Sequence, residues 1–486
     1  MPEFAMRVYN AFPLARPLLA SARGYVLNHW RYGADVDERT SAALERETWT
    51  ADKWRGWQED QLARTLHHAS RNVPYYREMW AKRRHRGDQS SPEVLQNWPI
   101  LEKDDIRRNP YAFVADNRRT AMRAETTSGT TGQPIKLWFS KETTRSWYSL
   151  CEARFRLWNG VSRADRWASL GAQLVAPASQ KTPPFWVWNR GLNQLYMSAY
   201  HVSAVTVRHY LAALAEHSVS YLWGHSSALE TIAREVLRSR LETPRLRVVL
   251  SSSEPFTRKQ RKLLETAFGC PARETYGMTE MAAAASECGH GNMHAWPEVG
   301  WLELADATTN TNGTVSGDLV STGFLNSEMP LIRYRIGDRA SFQSAATCAC
   351  GRTLPLLQDI EGRISDTLLT ADGRRLSPSA MEIVFDTDIA VHEAQIVQEA
   401  LDRVRIRYVP AEGFSAAMAE RLRERVQSRM GAVRITLERT DAIPRGANAK
   451  FRAVVCNVAQ PVSAGESGDT IDLHSIQAGL RPDVPA

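Results

Sequence analysis

A large, layered α/β domain followed by a small α+β unit is the fold this sequence predicts, on three observations. Amphipathic helical periodicity fills residues 36–85. From about residue 120, short apolar strands alternate with helices. Beyond residue 366 the order becomes strand, strand, helix, strand. At 486 residues the chain exceeds one ordinary core.

The helical stretch closes on Asn72-Val73-Pro74-Tyr75-Tyr76, where proline disfavours continuation. In the alternating region, Ser218–Trp223, Leu246–Ser251 and Arg273–Tyr276 read as strands, and Ser226–Ser239 and Thr257–Phe268 as helices. In the second region Glu393–Gln398, Arg403–Val409 and Val433–Glu438 read as strands, with an amphipathic helix at Ser415–Met430. The expected division is a large domain at 1–365, a small domain at 366–460, and a tail without regular structure at 461–486, rich in Ser, Gly, Asp and Pro. No internal repeat is visible.

The net charge of +7 and pI near 9.1 suit anionic small molecules such as nucleotides. The basic residues are scattered rather than massed, which argues against a nucleic-acid partner. No apolar run approaches the roughly 18 residues of a membrane span. Phe12–Leu27 is apolar in places, but Pro13, Arg16, Pro17 and Arg23 make it a poor signal peptide. Met1–Ala5 reads as a non-native leader before a native Met6. Six unevenly spaced cysteines do not make a secreted disulfide framework, so a reducing, cytoplasmic setting is expected. Most of the fifteen tryptophans are expected in the core or between helices.

Five stretches carry candidate chemistry. In Thr126-Thr127-Ser128-Gly129-Thr130-Thr131-Gly132-Gln133-Pro134, glycines permit tight turning and successive N–H and hydroxyl groups can face phosphate oxygens. It is not a Walker loop, and taken alone it reads equally well as a flexible turn. Glu274-Thr275-Tyr276-Gly277-Met278-Thr279-Glu280 leaves a strand end, where open α/β sheets bind ligands. Tyr276 could stack on a flat base, Thr279 bond a phosphate and Glu280 hold Mg²⁺; the plain alternative is a strand exit. Asp338, after Met329–Gly337, suits a pair of ribose hydroxyls or a turn. Gly362-Arg363-Ile364-Ser365-Asp366, followed by Asp372-Gly373, is a turn-rich junction and the expected hinge. Ile443-Pro444-Arg445-Gly446-Ala447-Asn448-Ala449-Lys450-Phe451 ends in a single Lys, a residue type usually solvated.

In this order and spacing the five together resemble the adenylate-forming superfamily of acyl-CoA synthetases and peptide-synthetase adenylation domains. They resemble most the phenylacetate–CoA ligase family and its capsule-biosynthesis-like branch, over roughly residues 60–456. The Asn72–Tyr76 stretch also looks like that branch. The resemblance implies ATP-dependent activation of a carboxylic acid to an acyl-adenylate, pyrophosphate release, then acyl transfer, with a small domain that turns between the half-reactions. It implies that Thr127, Ser128, Gly129, Thr130, Thr131 and Gly132 hold phosphates. Ser253, Glu254, Pro255, Tyr276 and Gly277 would frame adenine, and Thr279 would meet the α-phosphate. Glu280 would hold Mg²⁺, Asp338 would grip the ribose with Arg363 nearby, Asp366 would be the pivot and Lys450 the catalytic lysine. Many relatives carry Lys where this chain has Gln133, which puts one pyrophosphate contact in doubt.

Attack of a carboxylate on the α-phosphate brings two anions together, so cations and preorganised donors are required. The acid itself is not legible. Trp147, Tyr148, Arg154 and Trp158 on an expected helix 141–158, and Tyr221–Ser226 with His225, are candidate pocket walls, with core packing as the alternative.

Cys348-Ala349-Cys350 forms a close pair, with Cys288, His290 and His294 upstream. Cys288, His294, Cys348 and Cys350 could form a closed tetrahedral Zn²⁺ site, with His290 in reserve and free thiols as the alternative. The resemblance raises the metal reading. Cys151, Cys270 and Cys456 are expected to be inert buried thiols.

Three functions fit. The first is an acid–CoA ligase. The second passes the acyl group to an amine or hydroxyl and is favoured by the capsule-like resemblance. The third, a non-catalytic nucleotide-binding scaffold, conflicts with the joint presence of Glu280, Asp338 and Lys450. The partners expected are a small carboxylic acid and an amine, hydroxyl or thiol acceptor, with ATP, Mg²⁺, structural Zn²⁺ and, for a thiol acceptor, CoA. Oligomeric state is not legible.

Overall fold

Strand order, more than strand content, explains where this molecule puts its chemistry. The computed structural model describes residues 9, 12–118, 120–127, 134–171, 173, 175–177, 179–310, 313–343, 347–363, 366–371, 375–376, 381, 389–445, 450–458 and 470–478. Among these, thirteen strands form one continuous sheet. Its first part is parallel. Trp167–Gly171 lies between Gln194–Ser198 and Tyr221–His225, and the sheet continues through Val248–Ser252 to Ala272–Gly277. Helices Val207–Glu216, Ser226–Ser239 and Arg258–Phe268 connect or flank these strands, as crossover connections require. The second part is antiparallel. Gly300–Thr309, Thr314–Gly323, Tyr334–Gln343 and Leu356–Arg363 pair in succession.

The expected strands and helices of the alternating region all form, with ends shifted by at most three residues. The N-terminal part is helical throughout: Arg16–Arg31, Val36–Arg46, Ala51–Asn72 and Pro74–His85. Thr50 caps the third, accepting from Lys53 N, and Pro74 occupies the first turn of the fourth. Trp54, Trp80, Trp98, Trp167 and Trp296 are buried, and the other ten tryptophans are half-buried. The helix expected over 141–158 is regular only over Lys141–Leu150; it widens to a π-helical turn at Cys151–Arg156 and tightens to a 3-10 turn at Leu157–Asn159.

Residues 391–456 form a four-stranded sheet ordered Arg434–Arg439, Arg403–Pro410, Val391–Ala400, Val454–Cys456. Helix Ala416–Met430 packs on it through Leu422, Val426 and Met430. This unit has its own apolar cluster, including Ile396, Val404 and Ile406.

One expectation is corrected. Within the supposed tail, Thr470–Asp472 is a strand pairing antiparallel with Gly300–Thr309, and Leu473–Gln477 is a short helix. Leu473 and Ile476 enter the largest core cluster, and Thr470 Oγ1 bonds Glu303 Oε1 at 2.6 Å. Polar composition hid two apolar anchors that need a sheet edge from 170 residues upstream, roughly, to become visible. Of the described helices, none is long and apolar enough to cross a membrane.

Candidate active site

A cleft of about 1600 Å³ opens at the carboxyl ends of the parallel strands, between them, the antiparallel strands and the small unit. Thr127, Ser253, Glu254, Pro255, Tyr276, Gly277, Thr279, Glu280, Asp338, Arg363, Asp366 and Lys450 all line it, so widely separated segments meet in one space. Ser128–Gln133 lie outside the described residues. They are bracketed by the hairpin strands Met122–Thr126 and Lys136–Ser140, and Thr127 is fixed by Ile135 N donating to its Oγ1 at 2.9 Å.

Register sets the far wall. Asp338 lies opposite Arg363 in the ladder, with Arg363 Nε 4.0 Å from Asp338 Oδ1. Tyr276 donates its hydroxyl to Asp338 Oδ2 at 2.7 Å, and Tyr334 donates to Glu280 Oε1 at 2.8 Å. Burial and the adjoining carboxylates push both phenols far above their ordinary range, so they remain donors. Thr279 is exposed to the cleft, whereas Glu280 is buried. A methyl group on Gly277 would lie 3.4 Å from the Trp147 indole, so this glycine leaves the slot beside Trp147 open.

The near wall joins the two units. Ser253 is a non-glycine residue with φ of 72°, a left-handed conformation that turns its carbonyl to accept Lys450 Nζ at 3.0 Å. Glu254, expected beside adenine, spends its carboxylate differently. It accepts from Ser227 N (2.9 Å), Ser226 Oγ (3.1 Å), Ser227 Oγ (3.1 Å) and Phe451 N (2.8 Å). It thus caps helix Ser226–Ser239 and clasps the segment that carries Lys450. Asp366 pairs with Arg452 across the same junction. Burial, then Arg363, lowers the pKa of Lys450, with Glu254 and Asp338 opposing.

Lys103 was missed by the sequence reading. Residue 101 forms a parallel bridge to Tyr334, its N–H donating to Arg333 O at 2.9 Å, and this brings the start of helix Lys103–Arg108 into the cleft. A methyl group on Gly337 would come 3.1 Å from Lys103 Nζ. Burial lowers its pKa, while Glu280 and Asp338 act to raise it. One signal was available: a cation in the first turn of a helix opposes the macrodipole.

Other pocket candidates divide. His225 ends its strand buried, and among the described residues its Nδ1 has no partner. Burial holds its pKa below the ordinary value, so it is neutral at pH 7. Arg154 is corrected: it is fully buried and held by Glu298 at 2.6 and 2.7 Å, too deep to meet an acid. Tyr148 is half-buried with Arg31 over its ring, and Trp158 donates to Glu47 Oε1 at 2.8 Å. Tyr221 accepts from Arg156 Nε at 2.8 Å within the core.

Cys288, His294, Cys348 and Cys350 converge, with their ligand atoms all within 4.8 Å of one another. Cys288 Sγ is 3.7 Å from Cys348 Sγ, and Cys350 Sγ is 3.4 Å from His294 Nε2. Zn–S bonds of about 2.3 Å and Zn–N bonds of about 2.0 Å at tetrahedral angles require ligand separations of roughly 3.5–3.8 Å, close to these two pairs, and the donor set of three thiols and an imidazole suits that ion. His294 Nδ1 donates to Leu354 O at 3.1 Å, which leaves the Nε2 lone pair facing the sulfurs. Burial pushes the His294 pKa down to about 4, keeping it neutral. His294 therefore needs no substitute from His290. Cys151 and Cys270 are half-buried rather than fully buried, and burial lifts their thiols to about 12 and about 11, which keeps them protonated.

Comparison with known proteins fits this geometry. Residues 74–311 match the family described as AMP-binding enzyme, and residues 368–457 match the CapK C-terminal domain. Protein CapK of Staphylococcus aureus is 23% identical over 456 residues, 93% of this chain and 99% of that protein. Phenylacetate-coenzyme A ligase of Thermus thermophilus is 25% identical over 459 residues, covering 85% of this chain and 98% of that one. The fold is similar to that of 2-hydroxyisobutyryl-CoA ligase, whose matched structure is in the postadenylation state, with TM-score 0.65, 20% identity, and coverage of 85% of this chain and 91% of that one. The chain belongs to the adenylate-forming AMP-binding enzymes. Within that class it is phenylacetate–CoA ligase-like and CapK-like, and it is an enzyme that activates an acid with ATP before acyl transfer.

Proposed function

We propose that the cleft forms the acyl-adenylate with Lys450 as the catalytic cation, delivered by a small domain beginning near residue 366. The observation that carries this is Lys450 Nζ reaching Ser253 O across the domain junction, into the cleft that holds Asp338 and Arg363. An ammonium there offsets the repulsion between substrate carboxylate and α-phosphate. Asp338, oriented by Tyr276, suits the ribose hydroxyls, and Thr279 the α-phosphate. Glu280, oriented by Tyr334, would hold Mg²⁺, which supplies charge neutralisation at the phosphates. Thr127 would begin the phosphate loop continued by Ser128–Gly132. Lys103, with Nζ beside Gly337 and 6.0 Å from the centre of the Tyr334 ring, would position Glu280 and Asp338 through its charge. Gly277 and Trp147 bound the acid slot. Asp366 and its partner Arg452 mark the pivot. The Cys/His cluster would hold a structural Zn²⁺.

For the acceptor, an amine or hydroxyl is the first reading. His225, a buried imidazole at the strand end next to the cleft-lining Ser226, is the candidate base for the proton such an acceptor must lose. The second reading, a CoA ligase, is supported by the relatives named phenylacetate-coenzyme A ligase. ATP–pyrophosphate exchange with a panel of aryl and small polar acids tests adenylation; no exchange with any acid points to a nucleotide-binding scaffold instead. Product analysis with CoA and with candidate amines and alcohols then separates the acceptors. His225→Gln should slow transfer to an amine or alcohol about tenfold or more while sparing exchange.

A further inference from the structure

Helix Arg16–Arg31 is built inside out. Its inward residues are Arg16, Ser21, Gly24 and Leu27, and its outward residues include Leu18, Leu19, Tyr25 and Val26. An ordinary surface helix buries its apolar stripe and exposes its polar one. Here the attachment is small and polar. Gly24 packs so closely that a methyl group would overlap the Asn189 amide at 1.8 Å, and Arg190 N donates to Ser21 Oγ at 3.1 Å. Arg16 bonds Gln180 Oε1 at 3.1 Å. The apolar side faces solvent, with Leu14 99%, Leu18 73% and Val26 68% exposed. The other exposed large apolar residues, such as Val94, Val205 and Leu401, are far apart in sequence, whereas this group is contiguous.

The charge around this face has one sign. Arg23 is partly exposed beside it, Arg16 faces inward and Arg31 lies over Tyr148, and between Phe4 and Gly33 the sequence has no Asp or Glu. Lys181 adjoins Gln180, Arg190 adjoins the Ser21 contact, and Lys141 Nζ meets His29 Nε2 at 2.9 Å. Beyond the helix's C-terminal end, Asp35 and Glu142 are held by Arg39 and Asp37 by Arg163, and Glu38 is exposed. An apolar ridge of Leu, Val and Tyr with a basic margin is the pattern of a helix lying in a membrane interface.

We propose that the Phe12–Val26 face docks this enzyme on an anionic phospholipid surface, with its leucines, Tyr25 and Val26 among the acyl chains and Arg23 and its basic neighbours at the headgroups. This is surface docking, not a span. It is independent of the adenylation chemistry, since none of these side chains lines the cleft.

The test is co-sedimentation of the full chain with phosphatidylcholine vesicles, with and without about one third phosphatidylglycerol. Wild type should pellet at least about tenfold more efficiently with the anionic vesicles, and less as salt is raised. Leu18→Glu with Val26→Glu should lose that binding while keeping the wild-type melting temperature and ATP–pyrophosphate exchange. Leu14→Glu, on the most exposed residue, gives the same readout should the double variant unfold. The proposal is overturned when wild type stays in the supernatant with anionic vesicles, or when the variants pellet as wild type does. It is equally overturned when wild type proves to be a concentration-dependent dimer, without vesicle binding, that the same substitutions make monomeric.

Discussion

The Cys/His cluster and the catalytic cleft are both assembled from distant segments, but they are held in opposite ways. At the cluster, each group is fixed from within. His294 is tied to Leu354, and Cys348 receives Asn292 Nδ2 at 3.2 Å. The next residues are strapped to the N-terminal helices by Arg352 Nε on Glu47 Oε2 at 2.7 Å and Thr353 N on Glu47 O at 2.9 Å. In the cleft, the small unit reaches the large one through polar contacts such as Lys450–Ser253, Phe451–Glu254 and Arg452–Asp366. Polar contacts at a partly solvated junction are each worth little and re-form easily, whereas a closed metal cage, were Zn²⁺ to fill the cluster, would be worth much and would not open. The difference teaches that the cluster is braced by contacts on every side, whereas the groups facing the cleft meet across a junction of polar contacts.

Breaking the cluster should have the largest effect. Protein purified without added metal should carry one Zn²⁺ per chain, and Cys348→Ser with Cys350→Ser should remove it. Stability should fall by roughly 5 kcal/mol or more, less than the about 10–16 kcal/mol of free zinc-finger peptides because other packing also holds this region. Elemental analysis and melting curves check this; under a tenth of an equivalent of zinc, with freely titrating thiols, would sink the metal reading.

Lys450→Ala tests the junction. Adenylation should slow about a hundredfold or more, roughly 3 kcal/mol, with the melting temperature nearly unchanged. Given a chemically made acyl-adenylate, the variant should transfer nearly normally. Transfer as slow as adenylation, or adenylation at the wild-type rate, would remove Lys450 from the chemistry and end the contrast.

Glu274 sharpens the comparison from within the cleft. Burial and Glu287 raise its pKa from the ordinary value to about 8. The folded state therefore favours the neutral acid, and stability is lost as pH rises from about 4.5 through about 8. Glu274→Gln cannot ionise, so its melting temperature should match wild type near pH 4.5 and exceed it near pH 8. The gain should be on the order of 2 kcal/mol. Parallel melting curves for the two proteins across that range would contradict this.

The smallest effect is expected at Lys103. If it positions Glu280 and Asp338, Lys103→Ala should raise KM for ATP about tenfold, and Lys103→Arg should recover most of the loss. Unchanged kinetics would make it a structural cation only.

Local pattern determined much of this protein. Periodicity and turn residues located the strands and helices of 218–277 and 391–439 because each is written in contiguous residues. The short stretches around Tyr276, Asp338 and Lys450 were also legible, because glycines, prolines and charges cluster at loop ends. What only the tertiary structure decided depends on pairing between distant segments. Residue 101 had to bridge Tyr334 before Lys103 could be seen beside Asp338. That the carboxylate of Glu254 caps Ser226–Ser227 and holds Phe451 was visible only in the folded chain. Arg154 looked like a pocket cation until Glu298 and Glu47 enclosed it. The polar segment around Thr470 found order at a sheet edge formed by Gly300–Thr309. A sequence states what each residue can bond; only the folded chain decides which partner arrives, because a buried polar or charged group is stable only where a complementary group has been brought to it.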